Sequence, residues 1–151
     1  MRWTTIGFGK HKGKTLPEVV FDDADWIFWA YEEDIFKGAL GREVREVYRR
    51  ARAVRIPEKD GQKRLVEYRF DPRSGKFTSM FLIPDGPIFE RQTVSPVIDF
   101  YVPRVRCKYD KTGCKNLVLA FKAICFGDQS HRLSKQAREN FFSDDANFVL
   151  N

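Results

Sequence analysis

Between residues 40 and 54 the chain repeats with the period of an α-helix, and no other stretch restricts the fold so tightly. At about 100° per residue, Leu40, Val44, Val47, Tyr48 and Ala51 share one face, while Arg42, Arg45, Arg49 and Arg52 gather on nearly the opposite one. Such a helix is stable only if its apolar side is buried, so the chain must supply a partner layer. It has the material: 42% of its residues are hydrophobic and 15% aromatic, with 14 phenylalanines. That content excludes a disordered chain. At 151 residues there is room for one ordinary domain, or for two small ones sharing a core.

Upstream of this helix, residues 4–14 hold three glycines and three lysines among few apolar side chains, the pattern of a tight loop or hairpin. A short helix is expected to open at Thr15, because Thr15 and Glu18 have the spacing of a capping box and Pro17 is tolerated in a first turn. A second helix is expected to follow, with Asp22, Asp23 and Asp25 near its positive N-terminal end and the aromatic run Trp26 to Tyr31 as its body. Trp26 and Trp29, three apart and facing the same way, read as core residues; Trp3 is less constrained. Gly38 and Gly41 break the chain before the arginine-bearing helix.

Pro57 to Gly61 reads as a turn or boundary, after which the pattern changes from helical to extended. Leu65 to Phe70 alternates, Asp71 to Gly75 is a turn, and Phe77 to Ile83 returns, which together predict a β-hairpin. Further strands are expected at 87–92 and 97–106, set off by Pro84, Pro87, Pro96 and Pro103. Residues 117–126 are almost wholly apolar and fit either a buried strand or a helix; Ser134 is the expected cap of a terminal helix reaching Phe142. The predicted fold class is α+β. A helical module with its Gly/Lys loop (1–56) precedes an antiparallel β-rich region with a C-terminal helix (57–151), and the two are able to form one compact unit.

The net charge of +6 and the pI of about 9.3 favour phosphate-rich partners. The charge is not confined to one half: residues 1–56 carry 11 basic and 9 acidic groups, the remainder 16 and 12. Any binding surface must therefore come from local clustering. No apolar run approaches the length of a membrane span, the N-terminus lacks the apolar core of a secretory signal, and three cysteines do not make a disulfide framework. A cytoplasmic protein with no membrane partner is expected.

Three segments resemble a known small module: Phe8-Gly9-Lys10-His11-Lys12-Gly13-Lys14-Thr15-Leu16, then Asp25-Trp26-Ile27-Phe28-Trp29-Ala30, then Phe36-Lys37-Gly38-Ala39-Leu40-Gly41. Together they are similar to the C-terminal domain of exodeoxyribonuclease X-like proteins, and to the short stand-alone bacterial proteins named quorum-sensing-regulated virulence factors. The resemblance covers about residues 4–52. It implies association with DNA-processing proteins, since the module often accompanies exonuclease domains. It does not imply catalysis, because the Asp-x-Glu that opens the metal site of those exonucleases belongs to a separate domain. Asp23-Ala24-Asp25 sits instead at a helix start.

The candidate nucleic-acid-binding residues form three groups. In the loop, Lys10, Lys12 and Lys14 alternate beside His11, and flanking glycines let the backbone approach a phosphate. The spacing is not that of a P-loop. On the helix, Arg42, Arg45, Arg49 and Arg52 offer planar donors suited to phosphate, partly offset by Glu43 and Glu46. A third cluster, Arg104, Arg106, Lys108 and Lys111, with Lys115 beyond, is interleaved with Tyr101 and Tyr109 in the manner of single-strand binders on β-strands. Zinc through Cys107, Cys114, Cys125 and His131 is not expected, since no pair has the short spacing of common zinc sites, and no other cofactor is implied. These features predict a non-catalytic, largely sequence-independent binder of nucleic acid, DNA above all, assisting replication, repair or recombination in a bacterium or phage. Two alternatives stand beside it: a regulator docking on an acidic protein, and a metal-dependent nuclease using carboxylates such as Glu67, Asp71, Glu90 and Asp99.

Overall fold

The computed structural model describes residues 2–86 and 93–150. The fold is α+β. Two long helices come first, α1 (Leu16–Glu32) and α2 (Gly38–Ala51), followed by strands β1 (Val54–Arg55), β2 (Arg64–Phe70), β3 (Phe77–Pro84), β4 (Val94–Ser95) and β5 (Val97–Ile98). Helices α3 (Val102–Arg106), α4 (Lys111–Phe126) and α5 (Lys135–Ser143) and a 3-10 turn at Asp145–Asn147 complete the chain. The strands form two antiparallel sheets, one ordered β3-β2-β4 and one pairing β1 with β5.

The expected hairpin is β2–β3, with Phe70 opposite Phe77 and a register shift at Arg69/Phe70. Its turn is closed by Asp71, whose Oδ1 accepts from the backbone N–H of Arg73 at 2.7 Å and of Ser74 at 3.1 Å. The two helices expected between Thr15 and Tyr31 abut to form α1, which leaves helical geometry only at Asp23 (φ −158°, ψ 64°). Its start has the anticipated contact, Thr15 N–H to Glu18 Oε1 at 3.0 Å. Ser134 caps α5 by accepting from the Ala137 N–H.

Two segments differ from the sequence reading. The expected strand at 97–106 shrinks to Val97–Ile98, and residues 102–106 are the helix α3, with Pro103 in its first turn, where a missing N–H is harmless. The apolar run 117–126 is helical and begins further upstream: Asp110 caps α4, its Oδ1 accepting from Gly113 N–H at 2.9 Å. Gly113 lies so close to that carboxylate that a Cβ there would collide with it. The strand expected at 87–92 lies outside the described residues.

One apolar cluster joins these elements, and residues on either side of position 56 share it. At its centre Phe21 of α1 meets Phe100 at 5.9 Å, Phe121 of α4 at 5.7 Å and Phe142 of α5 at 5.7 Å between ring centroids. The apolar face of α2 enters the same cluster through Val44, Val47 and Ala51, which leaves its arginine face outward. Trp3 is buried too, with Nε1 donating to Ser143 Oγ at 3.0 Å. Packing α1 against both α4 and α5 brings the N-terminal loop next to the start of α4.

Candidate functional site

The Gly/Lys segment is a closed loop. Ile6 N–H donates to the Lys14 carbonyl and Gly13 N–H to the Ile6 carbonyl, both at 2.8 Å, and Thr5 bridges Thr15 in antiparallel fashion. Gly13 has φ +89°, a left-handed turn that an L side chain would strain. Because the segment turns, the three lysines do not project from one face of a strand as the alternation suggested. Lys10 reaches Asp23, with its Nζ 3.0 Å from Oδ2; Lys14 lies 3.8 Å from Asp22; and exposed Lys12 has no ion pair among the described residues.

Asp23, the residue that interrupts α1, organises this corner. Its Oδ2 receives Lys10, His11 Nε2 at 2.9 Å and Lys111 Nζ at 3.3 Å. Burial pushes this carboxyl up, but the hydrogen bonds from His11 and Lys10 and the charges of Lys10 and Lys111 outweigh it and hold it below the usual carboxylate range. His11 corrects the sequence reading: it is 8% exposed, packs edge-on against Trp26 at 4.9 Å, and fixes Asp23 rather than facing solvent.

Two residues further along α1, Asp25 plays the matching part for the C-terminal half. Arg104 Nη1 donates to its Oδ1 at 2.6 Å and Tyr109 N–H at 3.1 Å, while Arg104 Nε donates to Glu32 at 2.8 Å. Arg104 is only 4% exposed. It is therefore an internal ion pair holding α3 to α1, and not the surface contact its place in a basic run implied. The same carboxylate anchors Tyr109 in a left-handed conformation, φ +64°, which is uncommon for a non-glycine residue. The Tyr109 side chain is thereby held out in solvent, at 65% exposure. Arg106 lies over the Phe70 ring at 4.6 Å, and Lys108 and Lys115 are exposed without an ion pair among the described residues.

These contacts surround a cleft of about 360 Å³ lined by Lys10, Asp23, Asp25, Trp26, Trp29, Tyr109 and Lys111. Trp26 and Trp29, expected to be core, pack on the core from one side and show a face to this cleft on the other. Sequence reasoning found the lysines on both of its rims but missed the carboxylates and tryptophans between them. The available signal was the pairing of Asp23 and Asp25 with Trp26 and Trp29, one helical turn away on α1.

The arginine helix is exposed but differently furnished. Arg42 and Arg45 have no ion pair among the described residues, while Arg49 meets Glu46 at 2.6 Å. Arg52 is held by Asp99 at 3.1 Å and stacks on Tyr101 at 4.6 Å. Burial works against the Arg52 charge, but Asp99 and Tyr48 outweigh it and raise its pKa. Arg50, off the stripe, is buried and joins Glu46, Asp145 and the Phe142 carbonyl.

The zinc set is not assembled. Among the described residues no three His, Cys, Asp or Glu side chains gather to hold a metal ion. Burial, with the nearby Asp25 charge, pushes the Cys114 thiol up to about 12; burial does the same to Cys125; and His131 stacks on Phe126. The carboxylates of the nuclease alternative do not converge either: Glu67 accepts from Arg69, Asp71 closes its turn and Asp99 holds Arg52, while Glu90 lies outside the described residues. No helix among the described residues is long and apolar enough to cross a membrane.

Compared with protein-family models, with curated proteins and with solved structures, the chain matches none of them.

Proposed function

We propose that this chain binds nucleic acid, DNA above all, through the face formed by the 9–14 loop and the 108–115 segment, largely without reading sequence. The observation that carries the proposal is convergence. Two lysine-bearing segments far apart in the sequence meet at one aromatic-lined cleft, and Lys10 and Lys111 share a single oxygen of Asp23. Around them Lys12, Lys108 and Lys115 are exposed and unpaired among the described residues, so their charge is available to a polyanion. Lysines that neutralise phosphates release condensed counterions and attract any strand, whatever its bases. The likeness of residues 4–52 to a module found beside exonuclease domains supports the same reading, with a role assisting a DNA-processing protein.

Oligonucleotide binding measured against salt tests this. Affinity is expected to fall steeply with salt, and Lys12→Ala/Lys108→Ala/Lys115→Ala is expected to weaken binding of unrelated sequences alike. Absent binding, or an affinity indifferent to salt and to these three lysines, would overturn the proposal.

A further inference from the structure

The cleft holds more than a charged surface needs. Phosphate contact requires only the lysines, yet here they rim a space walled by two tryptophans and a tyrosine, with two buried carboxylates below. Tyr109, Trp26 and Trp29 all line the cleft, and among the described residues no ring pair closes Tyr109 onto either tryptophan. A non-glycine residue held at φ +64° by a hydrogen bond to Asp25 marks a conformation maintained against local preference, as binding sites often are.

The chemistry narrows the occupant. Aromatic walls suit either a cation or a flat neutral ring. Lys10 and Lys111 offset Asp23, and Arg104 offsets Asp25, so no net negative charge is left to draw a cation; that favours the flat ring, and the two lysines at the rim welcome the phosphate attached to one. Each carboxylate keeps an oxygen without a hydrogen-bond partner among the described residues: Asp23 is engaged only through Oδ2, and Asp25 only through Oδ1. A free carboxylate oxygen accepts from an exocyclic amino group and is repelled by a carbonyl. Thymine and uracil present carbonyls on both sides of their single N–H donor, whereas cytosine, adenine and guanine each carry an amino group.

We propose that this cleft takes one unpaired, amino-bearing base of a nucleic acid strand, stacked among Trp26, Trp29 and Tyr109, with its amino group toward Asp23 and Asp25 and its phosphate between Lys10 and Lys111. This rests on the nucleic-acid reading above and adds to it a demand for single-stranded or flipped-out substrate, since a paired base cannot enter.

The test uses otherwise abasic strands carrying a single cytosine, a single thymine or no base, with the intrinsic tryptophan fluorescence of the full chain as readout. Wild type is expected to bind the cytosine strand about tenfold or more tighter than the baseless one, with quenching, and the thymine strand less tightly than the cytosine strand. Tyr109→Gly, which adopts the left-handed backbone without strain, is expected to erase most of that preference while keeping the salt dependence. Tyr109→Phe is expected to restore the preference. If wild type binds all three strands equally and without quenching, or Tyr109→Gly leaves the preference intact, the base pocket is wrong and the lysine face stands. If wild type binds none of them at low salt, both readings fall.

Discussion

The molecule has two basic faces, and they are built on opposite terms. On α2 the arginines stand at regular helical spacing, but Arg49 is answered by Glu46 and Arg52 by Asp99, so only Arg42 and Arg45 present charge with no ion-pair partner among the described residues. On the loop and around the start of α4 the lysines have no periodicity, yet Lys12, Lys108 and Lys115 are unpaired among the described residues, and Lys10 and Lys111 edge an aromatic cleft. A regular stripe is thus a poor guide to available charge. What decides is where the carboxylates fall in space, and that depends on contacts between residues far apart in sequence.

The largest effect is expected where the lysine face is pinned to the helices. Arg104 and Asp25 are both almost fully buried and joined at 2.6 Å. Removing one partner of such a pair leaves an uncompensated buried charge, at a cost of about 3–5 kcal/mol. Arg104→Met is expected to lower stability by that order in urea denaturation. Arg52→Met, whose partner Asp99 remains partly accessible, should cost clearly less. Equal losses would mean that the two faces are anchored alike, against the contrast drawn here.

The next effect separates the faces in binding. Replacing Lys12, Lys108 and Lys115 by alanine is expected to flatten the plot of log affinity against log salt by about 2 units or more, at roughly 0.7 per lost phosphate contact on a single strand. Replacing Arg42, Arg45 and Arg49 should change it by about 1 unit or less on the same scale. The reverse ranking would transfer the binding face to α2.

Legibility from sequence followed the range of the physics involved. Local rules read correctly: the Asp71 turn, the Thr15 start of α1, the Ser134 cap and the amphipathic α2 all depend on residues within one or two turns of each other. The 97–106 segment misled because prolines and alternating apolar residues fit a strand as well as a first helical turn; Pro103 occupies the latter. The start of α4 was hidden in Asp110, a cap three residues from Gly113 inside a run that reads only as basic. The cleft was illegible for a different reason. Asp23 and Lys111 are separated by 88 positions and Asp25 and Arg104 by 79, and no local pattern encodes those meetings.

A smaller effect follows from Asp23. Its carboxyl is held below the usual range in the folded chain, so the stability it contributes is fully present above its unfolded value, about pH 4. That contribution is lost as pH falls through the lower, folded value. Acid unfolding followed by circular dichroism is expected to show this limb in wild type and to lose part of it in Asp23→Asn. At neutral pH the same substitution removes a carboxylate shared by three basic side chains and should cost about 1–3 kcal/mol. A variant as stable as wild type at pH 7 would show that the loop is not held by Asp23.

The smallest effect tests the comparison within one turn of α2, where Glu46 pairs with both Arg49 and Arg50. Arg49 is half exposed, and its pair is screened by water and salt, so Arg49→Ala is expected to change stability by about 0.5 kcal/mol or less. Arg50 is buried and also bonds Asp145 and the Phe142 carbonyl; its loss strands the carbonyl and opens the packing on Phe148, and should cost severalfold more. Measured side by side, the two neighbours ask whether an arginine on this helix matters through its charge or through what it touches inside. A loss at Arg49 matching that at Arg50 would make the stripe itself structural, and the charge it shows to solvent would then need no ligand to account for it.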